Sequence, residues 1–416
     1  MITAITNGIS TAAYTDLSRE VLESGKLADV RELVDRRGNS ADAIRRHIDK
    51  AAAILETQGE VFIACDMGIS RSRVIAIGLL VRIGYDFDDA FRLVLRQAGS
   101  PEINLQLLRS LQDAIAAPRS LPVAQGGDGI LVLGGSGFVG REIVATFRDD
   151  FQVYAPTTKE IDLTTDTMAL LRFLGAYRCK EIIYSVHPRS HHSTRAFASS
   201  LGMLKNTLDA ATEMDCHFVY LSSLVVFSGS AKRNGEYLLE VSEGQLPFPC
   251  GTYSESKWIG EQLVQMYRLN HGLKATVVRP SGLYGSGMSP VWLIPKLVEK
   301  ARAGLPIVTH EYRNGLPAFE LLHIRDFCAG LKLLSGQVTF PELVHIGSSK
   351  VITTRDLAAC IVDVLGSPSN LALEHIADDT HTVCSMPSPI MKSVGWEPTI
   401  SLRDGLCEMI QAISQR

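Results

Sequence analysis

The chain is predicted to be an α/β protein. An N-terminal α/β unit is followed by a doubly wound parallel sheet and a small C-terminal lobe. Three observations carry this. Strand-length apolar runs alternate with helix-length amphipathic segments from residue 129 to about 280. A glycine-rich turn, "GGSGFVG", stands between the first of those strands and the helix after it. Further upstream, a loop "CDMGISR" is also flanked by an apolar strand and a helix, ahead of the Pro- and Gly-rich stretch "PRSLPVAQGGDG".

The N-terminal elements follow in order. "ADAIRRHIDKAAAILET" has apolar residues at helical spacing, "EVFIAC" reads as a buried strand and "SRSRVIAIGLLVRIG" as a helix. "DFDDAFRLVLRQAG" and "EINLQLLRSLQDAIAA" read as two more helices. The expected boundaries are a first domain over 1–118, a linker over 119–128 and a second domain over 129–416. In the second domain the strands are "ILVLGG", "FQVYAP", "EIIYSV", "HFVYLSS" and "KATVVRP", each separated from the next by a helix. Such alternation places a parallel sheet between two helical layers. After about residue 281 the pattern becomes more helical and less regular, which suits a small substrate-covering lobe.

With 416 residues, 46% of them apolar, both parts can bury a core. The net charge of −4 implies no basic face, so nucleic acid is not an expected partner. The N-terminus lacks a basic n-region and a long apolar run. The longest apolar stretches, such as "VIAIGLLV", are too short to cross a bilayer. A soluble, cytoplasmic protein with no membrane partner is expected. Eight cysteines are scattered without CxxC pairs, so neither a metal site nor a disulfide framework is expected.

Three constellations in the second domain carry chemistry. In "GGSGFVG", Gly134 permits a tight turn, Gly137 lets backbone approach a pyrophosphate, and Gly140 lets helix pack on strand. Phe138 and Val139 complete that candidate cofactor turn. The second strand ends "VYAPTTKEIDL", with no acid at its tip. Thr157, Thr158 and Lys159 stand there as donors for a 2′-phosphate, so NADP is the expected cofactor, with NAD the alternative. Asp162 and Leu163 lie where they would flank the adenine. In "GTYSESKWIGEQLV", Tyr253 and Lys257 are one helical turn apart, so the ammonium is expected to lower the phenol pKa and ready it for proton transfer beside a nicotinamide.

Together these residues resemble the extended short-chain dehydrogenase/reductase family, a Rossmann fold, over about 129–412. "YLSSLVVFSG" resembles its Ser/Thr strand end, with Ser223 the catalytic hydroxyl and Ser222 beside it. "YSESKWIGE" matches its Tyr–Lys helix, with Glu261 in the usual place. "VVRPSGLYG" matches the segment carrying Arg279, Pro280 and Gly285, and Arg279 is a candidate cofactor contact. "VFSG" and "EIDLTTD" are similar to the dTDP-4-dehydrorhamnose reductase and GDP-fucose synthase branch. The resemblance implies an NADPH-using reductase or epimerase of a nucleotide-activated sugar, with a homodimer as a family expectation. One departure is "SVHPRSHHS", where the family has small residues next to the nicotinamide. There His187, Pro188, His191 and His192 reshape the pocket, contact an acidic substrate, or are polar loop residues. A second is the insert "SAKRNGEYLLEVSEGQ", expected to be a surface or substrate loop.

In "VFIACDMGISRSR", Cys65 and Arg71 have the CX5R spacing. Backbone amides between a strand and a helix N-terminus bind a phosphate dianion, and an arginine grips two of its oxygens. Gly68, Ser70, Arg71 and Ser72 are the candidate phosphate contacts, and Cys65 the thiolate nucleophile. The loop resembles the signature of dual-specificity phosphatases, and the similarity covers about residues 30–115. Asp35 lies at the distance expected of the general acid, with Asp29 a poorer fit. The family's histidine before the cysteine is Ala64 here. The resemblance implies a cysteine phosphatase acting on a phosphorylated small molecule or phosphoprotein, and so a bifunctional enzyme. The alternative is an inactive phosphate-binding module that regulates the oxidoreductase.

Overall fold

The computed structural model describes residues 2–34, 39–98, 103–115, 129–165, 167–187, 193–230, 238–335, 340–380 and 383–414. It divides into two compact units, Met1–Leu121 and Pro122–Arg416.

The first unit is built on a four-stranded sheet in the order β1 (Thr3–Thr6), β2 (Ile9–Ala13), β4 (Val61–Cys65), β3 (Leu27–Asp29). β1 and β2 form an antiparallel hairpin, while β2 and β3 both run parallel to β4. The sequence reading assigned no element before residue 41. These strands are short and rich in Ala, Ser and Thr, so their alternation is too weak to stand out. Among the described residues five α-helices follow the hairpin, α1 (Arg19–Glu23), α2 (Ala41–Gln58), α3 (Arg71–Arg82), α4 (Phe87–Ala98) and α5 (Leu105–Ala114). α2 starts at Ser40, whose hydroxyl accepts from the Ala43 amide. α3 is the unit's central helix, with Val74 to Leu80 buried, and it packs against α2, α4 and α5.

The second unit has a six-stranded, all-parallel sheet. From one edge the order is β6 (Gln152–Tyr154), β5 (Gly129–Leu133), β7 (Cys179–Tyr184), β8 (His217–Leu221), β10 (Ala275–Pro280), β14 (Leu343–Ile346). β5, β8 and β10 are buried along their length, as a sheet covered on both faces requires. Helices α6 (Phe138–Phe147), α7 (Thr167–Ala176), α8 (Thr194–Glu213) and α9 (Thr252–His271) are interleaved with the strands. Strand order reverses at β5, so the crevice beyond its carboxyl end is the topological switch point. Smaller sheets lie after residue 281, joining β11 (Gly282–Tyr284), β13 (Ala318–His323) and β15 (Val351–Thr353), and pairing β12 (Ile307–Tyr312) with β16 (Leu371–Ile376). The insert is not all loop, because Leu238–Glu240 forms β9 and pairs in parallel with β17 (Val383–Ser385). Its Val241 is wholly buried beside Phe227 and Met386.

Candidate functional site

β8 delivers Ser222 and Ser223 to the carboxyl edge of the sheet. Ser223 caps the short helical turn Leu224–Phe227, its hydroxyl 3.4 Å from the Val225 amide. α9 presents Tyr253 and Lys257 from its first two turns, and the Tyr253 phenol is hydrogen-bonded to Ser223. Lys257 is buried, donates to the Leu221 carbonyl at 2.8 Å, and sits 5.9 Å from the centre of the Tyr253 ring. Ser223, Tyr253 and Lys257 are therefore brought together. The electrostatics differ from the expectation: burial pushes the Tyr253 phenol up to about 12, outweighing its bond to Ser223. Burial likewise lowers Lys257 to about 8, against the opposing pull of Glu261. The tyrosine is a neutral proton donor at pH 7.

His187 lies against this tyrosine. The two rings stack face to face, 4.6 Å between centres and 17° between planes. Pro188, His191 and His192 lie outside the described residues.

Beneath the triad runs a buried polar array. Arg279 grips Glu261 with both arms, at 3.0 and 2.6 Å, and the Ser222 hydroxyl donates to the same carboxylate. Arg279 also meets His345 at 3.4 Å and lies over the Phe227 ring. Arg279 was expected to touch the cofactor; instead it is 2% exposed and committed to Glu261, so its part is to fix α9 against β10. Burial, then the Arg279 charge, holds His345 down to about 3, so it stays neutral.

The glycine turn fits a dinucleotide. Gly134 has φ +84°, and a Cβ on Gly140 would fall 2.2 Å from the Gly134 carbonyl oxygen, so no other residue fits there. Gly137 is the N-cap of α6 and supplies no side-chain cap, which leaves the Phe138 and Val139 end of the helix open to an anion. The Phe138 ring meets Trp292 edge-on at 5.8 Å.

The loop after β6 departs from expectation. Thr157 donates both its amide (2.7 Å) and its hydroxyl (2.9 Å) to the Glu160 carboxylate across a turn. Those donors are spent, and a carboxylate stands where a 2′-phosphate was expected; Thr158 and Lys159 remain exposed. Asp162 folds onto the amide and hydroxyl of Thr164, and the Leu163 carbonyl accepts from Asn206 of α8 at 2.9 Å. Asn206 escaped the sequence reading, since a single polar residue on a long helix carries no signal of its burial.

The profile of the NAD dependent epimerase/dehydratase family matches residues 130–347. The chain belongs to that family. Among curated relatives it is 25% identical over 310 residues to "Probable GDP-L-fucose synthase 1" of Oryza sativa subsp. japonica, covering 70% of this chain and 94% of the relative. It is 35% identical over 118 residues to the dTDP-glucose 4,6-dehydratase of Streptomyces antibioticus, 28% of this chain and 35% of that one. Among solved structures, the UDP-glucose 4-epimerase of Thermotoga maritima with UDP-glucose superposes with a TM-score of 0.59 at 18% identity, over 69% of this chain and 99% of that one. The dTDP-glucose 4,6-dehydratase of Bacillus anthracis in complex with NAD gives 0.59 at 19%, over 70% and 97%. These likenesses show a Rossmann-like α/β fold of the epimerase/dehydratase type.

The family match begins at residue 130, so the Cys65 loop lies outside it. Cys65 ends β4, 1% exposed, and α3 begins six residues on at Arg71. Gly68 has φ +68°, and a Cβ there would fall 2.4 Å from the Ala13 amide, so the loop folds back onto β2 only with glycine. The Gly68 amide donates to the sulfur at 3.1 Å, and Ser72 Oγ is 3.5 Å away. Burial alone would raise the thiol pKa. Hydrogen bonds from Ser72 and the Gly68 and Met67 amides outweigh it and hold Cys65 below its ordinary value. Ser70 is engaged otherwise, its hydroxyl accepting from the Asn104 amide at 3.1 Å. Arg71 donates to the carbonyls of Arg31 and Leu33 and, at 2.6 Å, to Asp66. Asp35 lies outside the described residues. Asp29 is taken by Arg31, which grips both its oxygens; burial opposes this, but the arginine's bonds hold its carboxyl below the usual range, which unfits it as an acid.

Among the described residues no group of His, Cys, Asp and Glu is arranged to hold a metal, and no helix is long and apolar enough to cross a membrane.

Proposed function

We propose that the second unit is a reductase/epimerase of a nucleotide-activated keto sugar. The observation that carries this is the assembly of Ser223, Tyr253 and Lys257 on the sheet edge that also holds the glycine turn. A bound nicotinamide supplies or accepts the hydride. The Tyr253 phenol, protonated at pH 7, gives its proton to the carbonyl oxygen as that oxygen gains charge, and Ser223 orients the carbonyl. Lys257 places a positive charge near the phenolate that results. The names of the relatives support a sugar nucleotide as substrate.

For the cofactor we propose NAD(H) in preference to NADP(H). Glu160 takes the Thr157 donors and sets a negative charge beside the ribose position, which favours hydroxyls over a phosphate. The test is consumption of NADH with a panel of GDP-, dTDP- and UDP-linked 4-keto sugars. Turnover that Tyr253→Phe abolishes supports the reading. Binding of NADH without turnover of any keto sugar rejects it.

For the first unit the Cys65 geometry favours a second reading, a cysteine phosphatase. The thiolate attacks phosphorus, the bond from phosphorus to the leaving oxygen breaks, and that oxygen takes a proton from an acid. Water then cleaves the sulfur–phosphorus bond, releasing phosphate and returning the thiolate, to which Ser72 donates. Asp35 is the candidate acid. Phosphate release from aryl and sugar phosphates that is lost in Cys65→Ser supports this. Phosphate binding without release in wild type reduces the loop to a binding module.

A further inference from the structure

A cavity of about 630 Å³ adjoins the Cys65 loop at Asp66, and its lining, Asp29, Arg31, Glu32, Arg46, His47, Lys50 and Asp66, is charged almost throughout. Most of those charges are already matched. Arg31 holds Asp29 in a fork and lies 3.5 Å over the Tyr14 ring. His47, buried on α2, meets Glu32 at 2.6 Å, and Asp66 is held by Arg71. Two lining residues are left, Arg46 and Lys50. They stand four apart on α2, so they share a face, and both are exposed. On the same helix Arg45 pairs with Asp42, and His47 contacts Glu32, an ion pair only when the imidazole is protonated. Arg46 and Lys50 have no ion-pair partner among the described residues. The Lys50 charge is felt inside the cavity, where it helps lower Asp29. Like charges at this spacing repel and weaken a helix.

We infer that this cavity takes a small-molecule phosphate ester with a second anionic group: the phosphate seats on the Cys65 loop, and the second anion on Arg46 and Lys50. The inference rests on reading the Cys65 loop as a phosphate site. The volume lies within the range of small-molecule pockets, and a metabolite is the occupant this inference commits to. Asp66 is the internal anion on Arg71 that the incoming phosphate displaces.

The experiment is protection of Cys65 from iodoacetamide in the full chain, followed at that residue by mass spectrometry at constant ionic strength. Fructose 6-phosphate, fructose 1,6-bisphosphate and a phosphotyrosine peptide are the probes. The bisphosphate is expected to protect at roughly tenfold lower concentration than the monophosphate, the scale of two partly exposed ion pairs. Arg46→Gln with Lys50→Gln, both at exposed positions, is expected to bring the bisphosphate to the monophosphate level and leave the monophosphate unchanged. Equal protection by the two sugars, an unchanged ratio in the double variant, or stronger protection by the peptide overturns the second-anion site while the phosphate loop stands. No protection by any probe overturns the phosphate loop itself and the inference with it.

Discussion

Tyr253 is held neutral by its own burial, and Lys257 is held close to losing its proton by the same cause. A phenol neutral at pH 7 holds the proton that carbonyl reduction requires. Replacing Tyr253 with Phe removes that proton and keeps the ring, its stack with His187 and the packing of α9. Keto-sugar reduction is expected to fall by about 10²- to 10⁴-fold, with NADH affinity by fluorescence titration unchanged. Lys257 gives a pH signature. Its pKa is lowered from 10.5 to about 8, so the ammonium dominates below pH 8 and the amine above it. The ammonium is the form that stabilises a phenolate, so kcat for reduction is expected to decline as pH rises through about 8. The residual activity of Lys257→Met is expected to show no such limb in a pH–rate profile.

At the scale of the element, the turn between β5 and α6 is determined by contacts too close for any Cβ. Gly140→Ala drives a methyl into the Gly134 carbonyl, and backbone on both sides leaves little room to yield. A loss of about 1–3 kcal/mol in urea unfolding is expected. NADH affinity is expected to weaken roughly tenfold or more as the turn opens and the α6 amides lose their aim. α9 is a second element whose placement is electrostatic as well as apolar. The Glu261–Arg279 fork, with Ser222 on the same carboxylate, ties the helix carrying Tyr253 to β10 and to the strand end carrying Ser223. The cysteine loop of the first unit uses similar devices, a glycine at a close approach and a helix start with no side-chain cap, and the loop's amides turn to the Cys65 sulfur.

At the scale of the molecule, two compact units share one chain, and the family match covers residues 130–347 of the second. A ligand that binds only the folded second unit stabilises it by mass action. NADH at about 100 times its dissociation constant is expected to add about 2.7 kcal/mol, read as a rise in the midpoint of that unit's thermal transition. NADPH at the same concentration is expected to raise it less, because Glu160 opposes the 2′-phosphate.

What the amino-acid sequence by itself determined are the features written in local runs of residues. The strands and helices from 129 to 280, the glycine turn, the Tyr–Lys pair and the strand–loop–helix around Cys65 were legible because periodicity and turn chemistry are properties of neighbours in the chain. Tertiary structure alone decided what depends on burial and on partners far away in sequence. Whether a phenol is more or less acidic than usual depends on how much water the fold removes, and here burial outweighs the lysine beside it. Arg279 became a buried tie to Glu261 because a charged group takes whichever counterpart the fold brings within reach. Asn206 clamps Leu163 across 43 residues, and the Arg46–Lys50 surplus emerges only once the other charges around it are paired. Electrostatic energy depends on distance and solvent exposure in three dimensions, and neither is encoded at any one position of the chain.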